Sequence, residues 1–188
     1  HSFAHIDFKV PDTHCDYMGA SLHKWLCTPL GNGILYVKKE KIKNVWPLFG
    51  DNTYPSDDIR KFEHIGTHPV GSTLPIVDAI RFHNSIGSKR KEERLRFLKN
   101  YWAEKVKAFP NVKLNTPLRD DQSCAIANVG IEGTAPAQVA DFLFEKHKIF
   151  TVAIDSEAVK GVRITPHLYT KLEDLDRLVE AIRDLSSG

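Results

Sequence analysis

Residues Gly19–Val37 read GASLHKWLCTPLGNGILYV. Gly31-Asn32-Gly33 is a turn-forming run, and the apolar GILYV after it reads as a strand opened by that turn. Just upstream, DYMGAS (Asp16–Ser21) reads as a strand that runs into a loop. Lys24 lies between the two strands, flanked by His23 and Trp25, with Leu22 and Leu26 nearby. Most lysines sit on solvated turns. This one falls at a strand-to-loop transition, where α/β proteins tend to place their sites. Its apolar neighbours predict a desolvated environment. In such surroundings a lysine gives up its proton more easily, and the neutral amine can form an imine with an aldehyde. Ser21 and His23, just before it, could donate hydrogen bonds to an anion such as a phosphate.

Outward from this segment, the chain has 188 residues, enough for one good-sized domain or two small ones. Its 41% apolar and 27% charged residues are ordinary for a globular protein with a real core. A formal net charge of +2 is too near neutral for an electrostatic footprint on nucleic acid or an anionic membrane. No apolar run is long enough to span a bilayer. Cys15, Cys27 and Cys124 form an odd, scattered set with no CxxC pair. They predict free thiols in a reducing compartment, the cytoplasm, rather than a disulfide frame or a zinc site.

Residues 47–71 are rich in Gly, Pro, Asp and Thr and read as a long loop. From Leu74 the period becomes helical, with Leu95, Leu98, Trp102, Val106 and Phe109 on one stripe. One long helix, or two in succession, is expected from Pro75 to about Ala108. KRKEERLR (Lys89–Arg96) lies within it, and its two glutamates and amphipathic spacing make it a solvated helix face rather than a nucleic-acid site. After Pro110, SCAIANVGI, IFTVAI and GVRITP are strand candidates. Thr134, Pro136 and Gln138 open a helix through AQVADFLFEKH. Thr170-Lys171-Leu172-Glu173 has the capping-box pattern and opens a last helix. The domain boundary is placed near Pro110, giving units 1–109 and 110–188, the second a small α+β domain.

DYMGASLHKWLCTPLGNGILYVKKE resembles the cofactor-lysine segment of class V aminotransferases, the pyridoxal-phosphate (PLP) enzymes of fold type I. That family shows an S-x-H-K element after a strand, then a Gly/Pro-rich turn and an apolar strand. The resemblance implies that Lys24 bonds the cofactor as a Schiff base, and that Ser21 and His23 hold its phosphate. RKFEHIGTHP is similar to the family's E-x-x-G-T loop, which implies that Thr67, with the backbone at Gly66, reaches the phosphate of the cofactor in the neighbouring subunit of a homodimer. GVRITPHLYTKLEDLDRLVEAI is similar to the family's C-terminal signature, in which Arg163 clamps the α-carboxylate of an amino-acid substrate. A planar guanidinium suits that task through two parallel hydrogen bonds. Without the resemblance, Arg163 reads as the solvent face of a strand.

The resemblance extends through nearly the whole chain. Its fold implication is α/β: the C-terminal part of a fold type I enzyme, with a remnant of the large domain, a long linking helix and a small α+β domain. His1 matches the last position of a D-x-x-H/Q element, whose histidine or glutamine lies near the ring hydroxyl of the cofactor. The aspartate that pairs with the pyridine nitrogen is then expected upstream of His1. The chain is therefore expected to be a back half, inactive alone and a weak binder of PLP.

Within the family, HKWLCTPLGNGILYV, FHNSIG and KEERLRFLKNYW are similar to isopenicillin N epimerase-like proteins. Cysteine desulfurases carry a catalytic cysteine on a loop shortly before the carboxylate arginine, and FTVAIDSEAVKGVR has none. Desulfurase chemistry is disfavoured on that ground. Two further readings differ in class. A metal-dependent hydrolase would use the i,i+4 pairs His1/His5 and His64/His68, but Gly66 and Pro69 do not suit a helix and no H-E-x-x-H pattern is present. A non-catalytic half-enzyme with a structural role is the other.

Overall fold

The computed structural model describes residues 1–50 and 52–187. The chain divides into two compact units, His1–Ser88 and Lys89–Gly188. The division therefore falls ahead of the long helix, whereas the sequence placed it after that helix, near Pro110. The physical reason is packing: Leu98, Trp102, Ala103 and Val106 are part of the second unit's core.

In the first unit, strand β1 (Tyr17–Ser21) pairs antiparallel with β2 (Gly33–Val37), in register from Tyr17↔Val37 to Ser21↔Gly33. Gly31 takes φ +88°, which glycine adopts without steric cost. The Leu22 N–H closes the intervening loop on the Asn32 carbonyl at 3.0 Å. Asn32 Nδ2 bonds the Pro29 carbonyl at 3.0 Å and the Ser72 carbonyl at 2.6 Å. The second bond ties the loop to helix α1 (Val70–Thr73), which α2 (Ile76–Ile86) follows. Leu22, Leu26 and Ala79 form a small core against which Phe3, Ala4, Ile34 and Ile76 pack. The long loop holds a short 3-10 turn at Ile59–Phe62, and the buried Lys61 fastens it by donating to the carbonyls of Ile42 (2.7 Å) and Ser56 (2.6 Å).

The second unit contains α3 (Ser88–Val106), β3 (Val112–Leu114), β4 (Ala127–Ile131), α4 (Pro136–His147), β5 (Val152–Asp155), β6 (Lys160–Ile164) and α5 (Leu172–Ser187). Its antiparallel sheet has the order β3-β4-β6-β5. Ala127, Val129, Val162 and Ile164 form the sheet's contribution to a core that also takes Trp102, Leu143, Leu175, Leu178 and Ile182 from the helices. Gln138 accepts from the Ala135 N–H at 3.2 Å, capping α4 as its sequence predicts.

Three details depart from expectation. β3 was not anticipated. Thr170 does not cap α5: its Oγ1 accepts from the His167 N–H at 2.9 Å, and Asp174 instead reaches back to the Lys171 N–H at 3.4 Å. The basic run of α3 is not simply a solvated face. Lys91 is only 2% exposed, Arg94 donates to the Thr170 carbonyl, and Arg96 joins Glu92 and the carbonyls of Asp120 and Ser123. The two arginines cap loop carbonyls that would otherwise face the helix unpaired.

Candidate active site

The loop between β1 and β2 is a turn in which successive side chains diverge. Leu22, Trp25 and Leu26 point inward and are buried, whereas Lys24 is exposed. The desolvated surroundings expected from its neighbours are therefore not formed around Lys24 within this unit; those neighbours serve the core. Trp25 instead organises the start of the chain. Its Nε1 donates to His1 Nδ1 at 3.2 Å, and its ring stacks on the buried His5, with centroids 3.9 Å apart and planes 5° from parallel. The structure thus brings His1 beside the lysine loop through Trp25, a role that the sequence did not signal beyond placing an aromatic next to Lys24.

Ser21, half-buried, ends β1, and His23, also half-buried, follows it in the turn. His23 Nδ1 is buried and has no hydrogen-bond partner among the described residues. Cys27, exposed, leaves the turn in a left-handed conformation at φ +65°. Gly66 (φ +72°) and Thr67 lie on an exposed loop ahead of α1. The Asn32–Ser72 bond links the neighbourhood of that loop to the lysine turn, and Thr67 makes no hydrogen bond among the described residues.

Arg163 belongs to the second unit. It stands on β6 opposite Asn128 of β4 and Val152 of β5. Its neighbours Val162 and Ile164 face the core, so Arg163 takes the other face of the sheet, half-buried rather than fully solvated. Its Nε is buried without a partner, and no carboxylate pairs with its guanidinium among the described residues. An unpaired, partly desolvated guanidinium is a receptor for a planar anion.

Cys124 is 4% exposed, and burial pushes its thiol from 9.0 up to about 11. It is therefore held as the protonated, unreactive form. Among the described residues no three His, Cys, Asp or Glu side chains converge as a metal site. No helix among them is long and apolar enough to cross a membrane.

The family model for aminotransferase class V matches residues 1–178. The chain belongs to the class V aminotransferase family. Among similar proteins is isopenicillin N epimerase of Amycolatopsis lactamdurans, 27% identical across 96% of this chain and 49% of that protein. A probable cysteine desulfurase of Ureaplasma parvum is 28% identical across 100% of this chain and 50% of that protein. The chain thus spans about half the length of the curated relatives it matches. The solved apo structure of a cysteine desulfurase from Thermococcus onnurineus superposes with a TM-score of 0.86 at 22% identity, over 100% of this chain and 51% of that one. The fold is the C-terminal part of fold type I. Family members are PLP-dependent enzymes.

The residues present fit that cofactor. An orphaned ring nitrogen on His23 and the nearby Ser21 hydroxyl are a polar set suited to a phosphate, and the exposed Lys24 amine beside them is suited to an aldehyde.

Proposed function

We propose that this chain carries the lysine-bearing and carboxylate-binding part of a PLP-dependent enzyme acting at the Cα of an amino acid, of the aminotransferase or epimerase type and like isopenicillin N epimerase. The observation that carries this reading is the lysine turn: Lys24 faces outward while its neighbours anchor the turn, and His23 presents an unpartnered nitrogen beside it.

In this reading Ser21 and His23 hold the cofactor phosphate, and His1, fixed by Trp25, lies near the ring hydroxyl. Bound PLP supplies the electron sink at Cα. The Lys24 amine, once released, takes the Cα proton as general base. Arg163 orients the substrate by gripping its carboxylate through two parallel hydrogen bonds. The enzyme is a cytoplasmic homodimer in which Gly66 and Thr67 reach the phosphate held by the neighbouring subunit. Desulfuration is set aside, because it needs a reactive thiol near Arg163. Residues 150–163 hold no cysteine, and the one cysteine of the second unit is buried and protonated.

The test is covalent trapping. The chain is incubated with excess PLP, reduced with borohydride and mapped by mass spectrometry. Label is expected first at Lys24, is lost in Lys24→Ala, and is weaker with pyridoxal lacking the phosphate. Label spread evenly over exposed lysines such as Lys39 and Lys43 would refute the assignment.

A further inference from the structure

The second unit's sheet has an apolar face and a polar one, and Arg163 lies on the polar face. Its row runs from Asn115, just past the end of β3, through Asn128 on β4 and Arg163 on β6 to Val152 on β5. Side chains directly opposite one another in such pairs have Cβ atoms about 4.5–5.5 Å apart. The next row along the strands contains Gly130 and Gly161, whose missing side chains leave room for two amides. Asn115 Nδ2 reaches the Lys160 carbonyl at 2.8 Å and also donates to Asn128 Oδ1 at 2.8 Å. A Cβ on Gly130 would stand 2.7 Å from that same carbonyl oxygen, and one on Gly161 would stand 2.5 Å from Asn128 Oδ1.

These contacts fix which way each amide points. A backbone carbonyl only accepts, so the Asn115 atom that faces Lys160 is its NH2. That NH2 then requires an oxygen on Asn128, which leaves Asn128 Nδ2 on the other side. Asn128 is 9% exposed, and its Nδ2 is buried with no partner. Across the strand pair, Arg163 Nε is also buried with no partner. Two donors cannot satisfy each other, so both groups stay buried and unpaired. An aspartate at position 128 would have almost the same shape. It would keep the bond to Asn115 and offer its second oxygen to Arg163 Nε as an ion pair.

We infer that the relay from the Lys160 carbonyl through Asn115 holds the Asn128 amide so that no acceptor faces Arg163, keeping the guanidinium free for an external carboxylate. Asn128 is a positioning residue that acts through Arg163. The inference rests on the reading of Arg163 as the carboxylate receptor and adds why that arginine stays unneutralised.

The experiment follows the side-chain Nε–H signal of Arg163 by 15N NMR in the full chain, with Arg163→Lys for assignment. Glycine is the carboxylate probe and glycinamide its uncharged control. In the wild type the signal shifts with glycine and not with glycinamide. N128D slows Nε–H exchange with water and weakens glycine binding, each by about tenfold or more. Asn128→Leu offers no acceptor and keeps glycine affinity within about threefold. An N128D chain with unchanged exchange and affinity overturns the inference. So does an Asn128→Leu chain that loses as much as N128D, because packing would then be the cause. A wild-type signal that ignores glycine refutes the carboxylate role of Arg163, and the Nε–H exchange in N128D then decides the relay by itself.

Discussion

Gly161→Ala is the sharpest stability test of the second unit. Gly161 lies on β6 against the backbone of β4, at φ +154°. A Cβ there would meet the Val129 carbonyl oxygen at 2.4 Å, the Val129 carbonyl carbon at 2.7 Å and Asn128 Oδ1 at 2.5 Å. Ordinary carbon–oxygen contacts between strands are about 3.3 Å, so the backbones would have to part by roughly 0.9 Å. Two of the three clashing atoms are main chain and cannot rotate away. Overpacking of this kind costs about 1–3 kcal/mol, and the backbone conformation adds about 1–3 kcal/mol for a residue with a Cβ. The expected loss is about 3–5 kcal/mol, a large share of a typical domain's stability of about 5–15 kcal/mol. Urea unfolding followed by far-UV circular dichroism measures it. Gly133→Ala is the control for backbone conformation alone: φ is +77° and nothing lies within 4 Å of the new Cβ, so about 1 kcal/mol is expected. Gly161→Ala within about 1 kcal/mol of the wild type would refute the close approach and the amide geometry built over it.

Two other predictions concern buried polar groups. The folded Cys124 thiol titrates at about 11 rather than 9.0, chiefly because it is buried, so between those values the folded state binds more protons than the unfolded. Stability contributed by this group is full below about pH 9 and is lost towards about pH 11, by about 2–3 kcal/mol. Burial pulls Lys99 the other way, below its usual 10.5, which makes stability rise with pH in the range below that value. Urea titrations at a series of pH values should therefore show the alkaline loss reduced in Cys124→Ala relative to the wild type; identical slopes would contradict it. Lys61→Met leaves the Ile42 and Ser56 carbonyls without their donor and should cost about 1–3 kcal/mol. Faster proteolysis within residues 47–71 would register the loss, and an unchanged cleavage rate would count against it.

The lysine hairpin was legible because its signals are local: Gly31-Asn32-Gly33 fixes a turn, and the flanking runs read as strands before any packing is known. The helical stretch from Leu74 was legible from its period, but a period does not say which unit the stripe packs against. That is why the boundary moved from Pro110 to Ser88–Lys89. β3 is a three-residue edge strand, too short to carry a pattern. Lys91 and Lys99 are both buried, and Lys99 is so through bonds to the distant Leu118 carbonyl and Ser123 hydroxyl, which composition cannot reveal. Lys24 shows the same limit in reverse: neighbours in sequence became opposite faces of a turn. Arg163 was singled out as a candidate through family resemblance alone, whereas Asn128 drew no notice until the β4–β6 register put the two opposite each other.

The three cysteines differ in access in a way that makes the chain its own stopwatch. Cys27 is exposed at the end of the lysine turn, Cys15 is half-covered beside β1, and Cys124 lies inside the second unit. A thiol-specific alkylating reagent would therefore mark Cys27 at the rate of simple encounter. Cys124 would be marked only when its surroundings open. The interval between those two modifications reads out opening events in the second unit under native conditions, without denaturant and without any engineered label.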